Sequence, residues 1–355
     1  MLYYHEPPTP FSDHTYKVDQ GVSCDLRIWP SDVDSNSSSG VSSPWIMYVH
    51  GGAFCAGKHY NPNAWVIPTF RPRGCHVVSV SYRFTPHVSL SQQVEDCKDA
   101  FEWCKSNLSE IIGNTSSVDI DNYVLIGESA GGLIVSLLPF YTMNPLPPKA
   151  IVNIYGPTDL TYLSSTSSTP INPVEIQPLS GEFSKEEVVE GANSRDPAKA
   201  LTVCPFEFDI SEETYRKIWG VPDFQYTKEQ RFQYDIKRHL RTTRSLMDVL
   251  LRKEECKNDG EWLDRLKVYS PLHLIRNGTL TYPPTAFLHG KDDPVVNYTQ
   301  AEIFSDALNN MGIDTLTCLE PGQVHEFDNK YIGPEVEGWD TYITPIAEFV
   351  EKYIK

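Results

Sequence analysis

Residues 123–132 read YVLIGESAGG. The first five are apolar, include β-branched residues and stop abruptly at glycine, which reads as a short buried strand. Period alone does not separate such a run from buried helix. Residues 130–141 then carry a helical pattern, so Ser129 falls on a tight strand-to-helix turn inside Gly127-Glu-Ser-Ala-Gly131. A serine held there is thrust outward on a strained backbone, and the glycines two residues to either side let strand and helix approach closely. The helix start also aims main-chain N–H groups and the positive dipole end at any negative charge developing beside the serine. Ser129 is therefore the candidate nucleophile.

Working outward, strand-length apolar runs alternate with helical patterns, the signature of an α/β protein with a mostly parallel sheet flanked by helices. The expected strands cover residues 23–29 (antiparallel), 45–49, 76–82, 123–127, 150–155, 285–289 and 315–320, with a Ser/Asp-rich loop at 31–43. Helical patterns cover 90–107, 130–141, 300–311 and 339–353. Residues 159–280 break the rhythm, opening with Ser/Thr/Pro-rich text at 163–178. Such an excursion is too long for a connecting loop and reads as an inserted, largely helical cap between core parts 1–158 and 281–355. A helix starting near Thr227 places Phe232, Ile236, Leu240, Met247 and Leu250 on one face. Lys228, Arg231, Lys237, Arg238, Arg241 and Arg244 fall mostly on the others, either as a solvated basic face or as a cationic rim for a carboxylate-bearing substrate. Phe206, Phe208, Tyr215, Trp219, Phe224 and Tyr226 suit either an apolar pocket or ordinary core packing.

His50-Gly-Gly-Ala53 follows the strand at 45–49 and stands about 80 residues before the serine motif. Small residues there let main-chain amides turn inward, so Gly52 and Ala53, with Gly51 as a further candidate, join Ala130 as the expected oxyanion hole. A serine needs a base, and ten histidines compete. His325 is chosen because it lies in the loop after the last expected strand and before the final helix. The orienting acid belongs on the loop after the preceding strand, where Asp292 and Asp293 are adjacent. Gly290-x-x-Asp293 followed by proline is the usual register and favours Asp293, with Asp292 as the fallback. The chain order Ser129, Asp293, His325 is that of the α/β hydrolases.

At these residues the chain resembles the hormone-sensitive-lipase-like branch of the α/β hydrolases, the fold-3 group. HGGA stands where that branch commonly has HGGG, and GESAGG (127–132) resembles its G-[DE]-S-A-G-G. SYRFTP (81–86) is similar to its D-Y-R-L-A-P, while YSPL (269–272) and DPVV (293–296) flank the penultimate strand. The resemblance covers residues 45–157 and 269–327 and leaves the cap unmatched. It implies an α/β-hydrolase fold and carboxylic ester hydrolysis with no metal or organic cofactor. Substrate choice, which the cap largely controls, is not implied. Ser81, Phe84 and Thr85 depart from the usual residues, and Ala53 in place of glycine reshapes the acyl pocket. The same nucleophile would serve an acyltransferase, a thioesterase or a cyclising biosynthetic enzyme. A third reading is a ligand-binding receptor on a retired hydrolase scaffold, as in some plant hormone receptors; such receptors tend to lose a triad member.

Composition narrows the partners. The 355 residues are 40% hydrophobic and 22% charged, and 30 Lys+Arg against 47 Asp+Glu leave a net charge of −17. Such a surface repels phosphate backbones and anionic headgroups, so nucleic acid and membranes are poor partners and a small acyl substrate is the better one. No stretch approaches the roughly 18 apolar residues of a membrane span. The first residues lack a signal-peptide pattern, and eight scattered cysteines without metal spacing fit reduced thiols in the cytoplasm. Asn-x-Ser/Thr triplets at Asn36, Asn107, Asn114, Asn277 and Asn297 read as chance in that setting. Oligomeric state is left open.

Overall fold

A computed structural model describes residues 7–33, 42–113, 117–141, 147–166, 178–278 and 281–355. Asn36, Asn114 and most of the Ser/Asp-rich and Ser/Thr/Pro-rich stretches lie outside the described residues.

Among the described residues eight strands form one sheet: β1 (Ser12–Asp19), β2 (Val22–Trp29), β3 (Ser43–Val49), β4 (His76–Val80), β5 (Val118–Glu128), β6 (Ala150–Ile154), β7 (Thr285–Gly290) and β8 (Thr315–Glu320). Their order is β1-β2-β4-β3-β5-β6-β7-β8. β2 is antiparallel to β1 and β4, and every later pair is parallel. This is the α/β-hydrolase fold expected from the sequence.

Period-two alternation builds the core on both faces of the sheet. Trp45, Met47 and Val49 of β3, Leu125 of β5 and Phe287 of β7 join one apolar cluster. Their neighbours Ile46, Tyr48, Val124, Ile126, Ala286 and Leu288 join the other. Helices α2 (Leu90–Ile112) and α3 (Ala130–Tyr141) cover the first face, and α1 (Val66–Phe70) covers the second. Between β6 and β7 run α4 (Leu160–Thr166), α5 (Lys185–Ala192), α6 (Glu212–Trp219), α7 (Lys228–Thr242), α8 (Leu246–Leu250), α9 (Asp259–Val268) and α10 (Pro271–Asn277). After β7 comes α11 (Thr299–Asn310) on the first face, and after β8 come α12 (Trp339–Tyr342) and α13 (Thr344–Ile354) on the second.

Several expectations need correction. β1 was not foreseen, because only Tyr16 of its eight residues is buried and the strand has no apolar run. β5 begins at Val118, ahead of the apolar run. The final helical pattern is broken in two, with Pro345 in the first turn of α13. The helix starting after Thr227 ends at Thr242, where Arg244 adopts φ 57° and turns the chain into α8. Ile236 and Leu240 therefore pack in one small cluster, while Met247 and Leu250 leave that face and join the main core. Lys237 is no part of a solvated face, since it is 9% exposed. Among the described residues no helix is long and apolar enough to cross a membrane.

Candidate active site

The carboxyl ends of parallel strands lie at one edge of a sheet, so the loops after β3, β5, β7 and β8 meet there. Ser129 sits between β5 and α3 with φ 48°, a left-handed conformation rare outside glycine. Its amide donates to the Ile154 carbonyl at 2.8 Å, fixing the turn. The flanking glycines are steric necessities. A Cβ on Gly127 would lie 2.3 Å from the Gly131 oxygen, and one on Gly131 would lie 2.0 Å from the Val49 oxygen.

His325 Nε2 lies 3.0 Å from Ser129 Oγ, and its Nδ1 lies 2.6 Å from Asp293 Oδ2. A carboxylate only accepts, so Nδ1 carries the proton and Nε2 is left to accept from the serine hydroxyl. The Asp293 side chain is fully enclosed. Its Oδ1 accepts from the amides of Val295 and Val296 at 2.8 and 3.0 Å, and His289 Nε2 approaches Oδ2 at 3.2 Å. Burial would raise this carboxyl, but hydrogen bonds from His289 and His325 hold it well below the usual carboxylate range. Burial likewise opposes charge on His325, yet Asp293 prevails and raises the imidazole above its ordinary value. Asp292 is exposed and offers its amide to the Gln323 carbonyl, so the geometry favours Asp293.

Residues 52–54 have φ 112°, 55° and 61°, which curls the chain sharply after β3. A Cβ at Gly52 would sit 2.0 Å from the Ala56 oxygen. Among the described residues the amides of Gly52 and Ala53 have no acceptor, and Ala130 opens α3, so its N–H has no partner one turn back. The Gly51 amide is different, because it donates to Glu128 Oε1 at 3.0 Å. That engages one of the expected donors and leaves three. His50 is buried, stacked on Tyr82 with centroids 4.6 Å apart, and burial pushes it down to about 4.

Behind His325 lies a polar network that sequence reasoning missed. The Tyr155 ring packs 4.6 Å from the imidazole, and its hydroxyl sits 3.0 Å from Glu128 Oε2 and 2.9 Å from Asp328 Oδ1. Asn63 and Trp65 donate to Asp328 Oδ2 at 2.8 and 2.7 Å. One phenol proton cannot satisfy two carboxylates together, so ionising both is disfavoured. Burial, with the nearby Glu128 charge, pushes Asp328 up to about 7, and burial also raises Glu128. Glu128 and Asp328 adjoin the motif residues, but nothing in the sequence pairs them through Tyr155.

Residues 46–208 match the alpha/beta hydrolase fold family. Curated relatives include the non-reducing polyketide synthase Preu3 of Preussia isomera, 26% identical over 324 residues. Another is the 5-methylorsellinic acid synthase of Aspergillus terreus, 25% identical over 328 residues. Each alignment takes in 86% of this chain but only 12% of the synthase, so the chain spans about an eighth of these relatives. Solved structures with the same architecture include an Enterococcus faecalis α/β-hydrolase superfamily protein, with TM-score 0.58 and 17% identity, covering 97% of this chain and 98% of that one. A hyperthermophilic esterase from Pyrobaculum calidifontis gives TM-score 0.55 and 18% identity, covering 98% and 87%. At such identities the shared property is the fold.

Proposed function

With residues 46–208 belonging to the α/β-hydrolase fold family and the whole chain carrying its fold, we propose a serine hydrolase that cleaves a carboxylic ester through an acyl-enzyme. The supporting observation is the relay of 3.0 and 2.6 Å contacts from Ser129 through His325 to Asp293. Ser129 Oγ attacks the ester carbonyl while His325 Nε2 takes its proton, and Asp293 holds the imidazole in the required tautomer. The amides of Gly52, Ala53 and Ala130 receive the oxyanion; losing one such donor costs about 2.7–4 kcal/mol of barrier. His325 then protonates the leaving alkoxide, and water repeats the sequence on the acyl-enzyme. Residues 159–280 act as the cap that selects the acyl group.

A second reading keeps the nucleophile and changes the acyl donor or acceptor. The match to segments of polyketide synthases favours release of a thioester-bound acyl chain, by water or by an internal nucleophile.

The test is Ser129→Ala. The folded variant is expected to lose hydrolysis of a short 4-nitrophenyl ester by roughly 10⁴–10⁶-fold and all labelling by a fluorophosphonate. Wild-type turnover by the variant excludes Ser129 as nucleophile, and an unlabelled wild-type protein favours a receptor. Product analysis on a thioester and an oxygen ester of one acyl group, with an alcohol as trap, separates transfer from hydrolysis.

A further inference from the structure

Among the described residues two lysines are buried, and they are treated differently. Lys58 is 3% exposed and meets Glu207 at 2.6 Å with its ammonium over Trp219. Lys237 is 9% exposed and meets no carboxylate or hydrogen-bond acceptor among the described residues. Its ammonium lies 4.0 Å from the Phe206 ring centroid and 5.0 Å from that of Tyr234. Two ring faces cover one side of the ammonium, which is not sealed from solvent and so stays open to a ligand. Three N–H donors so placed lack an anion.

The position of Lys237 ties it to the chemistry. One turn earlier on α7, Gln233 Nε2 donates to the carbonyls of Cys55 and Thr85 at 2.8 and 2.7 Å, pinning the helix to the loop that carries Gly52 and Ala53. Ile236 shares a buried cluster with Cys55. The charges that reach Lys237 are Arg241, of like sign on the same helix, and Glu326, the exposed neighbour of His325. Cys55 and Cys204 also face it, and burial keeps both thiols neutral. The remaining basic side chains of α7 are less buried: Lys228 is exposed, Arg231, His239 and Arg241 are half-buried, and Arg238, also half-buried, pairs with Asp235.

We propose that Lys237 binds an anionic oxygen, a carboxylate or an ionised phenol, on the ester that Ser129 opens, so that this site selects acidic substrates. The proposal rests on Ser129 as nucleophile. It narrows the basic face of the sequence to one largely covered cation on α7, the helix that packs against the curled loop after β3, within electrostatic reach of Glu326. Burial, reinforced by Arg241, pushes Lys237 down to about 8, and an anion seated beside it would offset that penalty.

The experiment compares matched esters on the full chain: mono(4-nitrophenyl) glutarate against 4-nitrophenyl pentanoate for the acyl side, and 4-acetoxybenzoate against 4-tolyl acetate for the leaving side. Lys237→Met is expected to lower the acidic-to-neutral ratio of kcat/KM at least about tenfold in one pair, the size of one charge-assisted contact. Lys237→Arg keeps the wild-type ratio within about threefold, because it keeps the charge. The ratio is taken within each enzyme, so any loss of folded protein cancels. Ratios unchanged by Lys237→Met in both pairs overturn the proposal. Benzoate titrated calorimetrically needs no turnover: wild-type binding weakened at least about tenfold by Lys237→Met supports the site, and equal or absent binding removes it. Failure of the hydrolase reading shows separately, as a wild-type Ser129 that takes no fluorophosphonate.

Discussion

Desolvation alone would push the His325 imidazole down and the Asp293 carboxyl up. Their 2.6 Å contact reverses the first, and His289 together with that contact reverses the second. As the proposed base, His325 works only when neutral, so activity is expected above its folded-state pKa and is lost as pH falls through it. With that pKa raised, the acid limb of kcat/KM lies above the usual imidazole value. In Asp293→Asn burial is opposed only by the smaller pull of Glu326 and Glu128, and the limb moves to lower pH while kcat drops by roughly 10⁴-fold. Profiles from pH 5 to 9 check this, and an acid limb that stays in place denies Asp293 its orienting role. The choice between Asp292 and Asp293 was legible as a register beside Pro294. The reason it matters, enclosure of one side chain and exposure of its neighbour, is tertiary. Tyr155 left no such trace, since an aromatic residue at the end of a buried strand looks like core until two carboxylates approach its hydroxyl.

Strand β5, the turn at Ser129 and helix α3 were legible together, because glycine spacing, strand content and helical pattern all act within a few residues. The close packing of these elements also yields a prediction. In Gly131→Ala the new methyl would meet the Val49 carbonyl, which is backbone and cannot swing aside, so α3 must lift from β3. The expected cost is about 1–3 kcal/mol, with slower fluorophosphonate labelling of Ser129. A urea midpoint and labelling rate equal to wild type contradict it. Element ends were harder to read. The amphipathic pattern runs past Thr242 without interruption, and only the left-handed turn at Arg244 separates α7 from α8. In β1, the exposed edge strand, side chains are too polar to announce a sheet.

Over the whole molecule, the long segment between β6 and β7 is stitched back to the sheet side. Gly57 and Cys204 exchange backbone hydrogen bonds at 2.8 and 2.9 Å, the Tyr60 and Tyr215 hydroxyls meet at 2.7 Å, and Arg27 donates to the Trp219 carbonyl at 2.6 Å. Lys58 and Glu207 form the charged member of this seam. Glu207→Gln leaves the ammonium enclosed without its counter-ion and is expected to cost about 3–5 kcal/mol, whereas Lys58→Met with Glu207→Leu costs far less or stabilises. Urea unfolding of the two variants checks this; equal losses would mean that the pair is valued for its shape and not its charge.

By itself the sequence determined the alternating strands and helices, the strained serine turn, the chain order of the three proposed catalytic residues and the long, mostly helical run between two sheet strands. Each is written in local pattern: apolar spacing, glycine placement, or position relative to the next strand. Tertiary structure alone decided which titratable groups share a site and which lose water. Ser129 and His325 stand 196 positions apart, and Asn63 and Asp328 stand 265 apart. Burial and pairing depend on what the folded chain brings alongside a side chain. Lys237 therefore reads as one more surface cation until α7 is packed against the loop after β3.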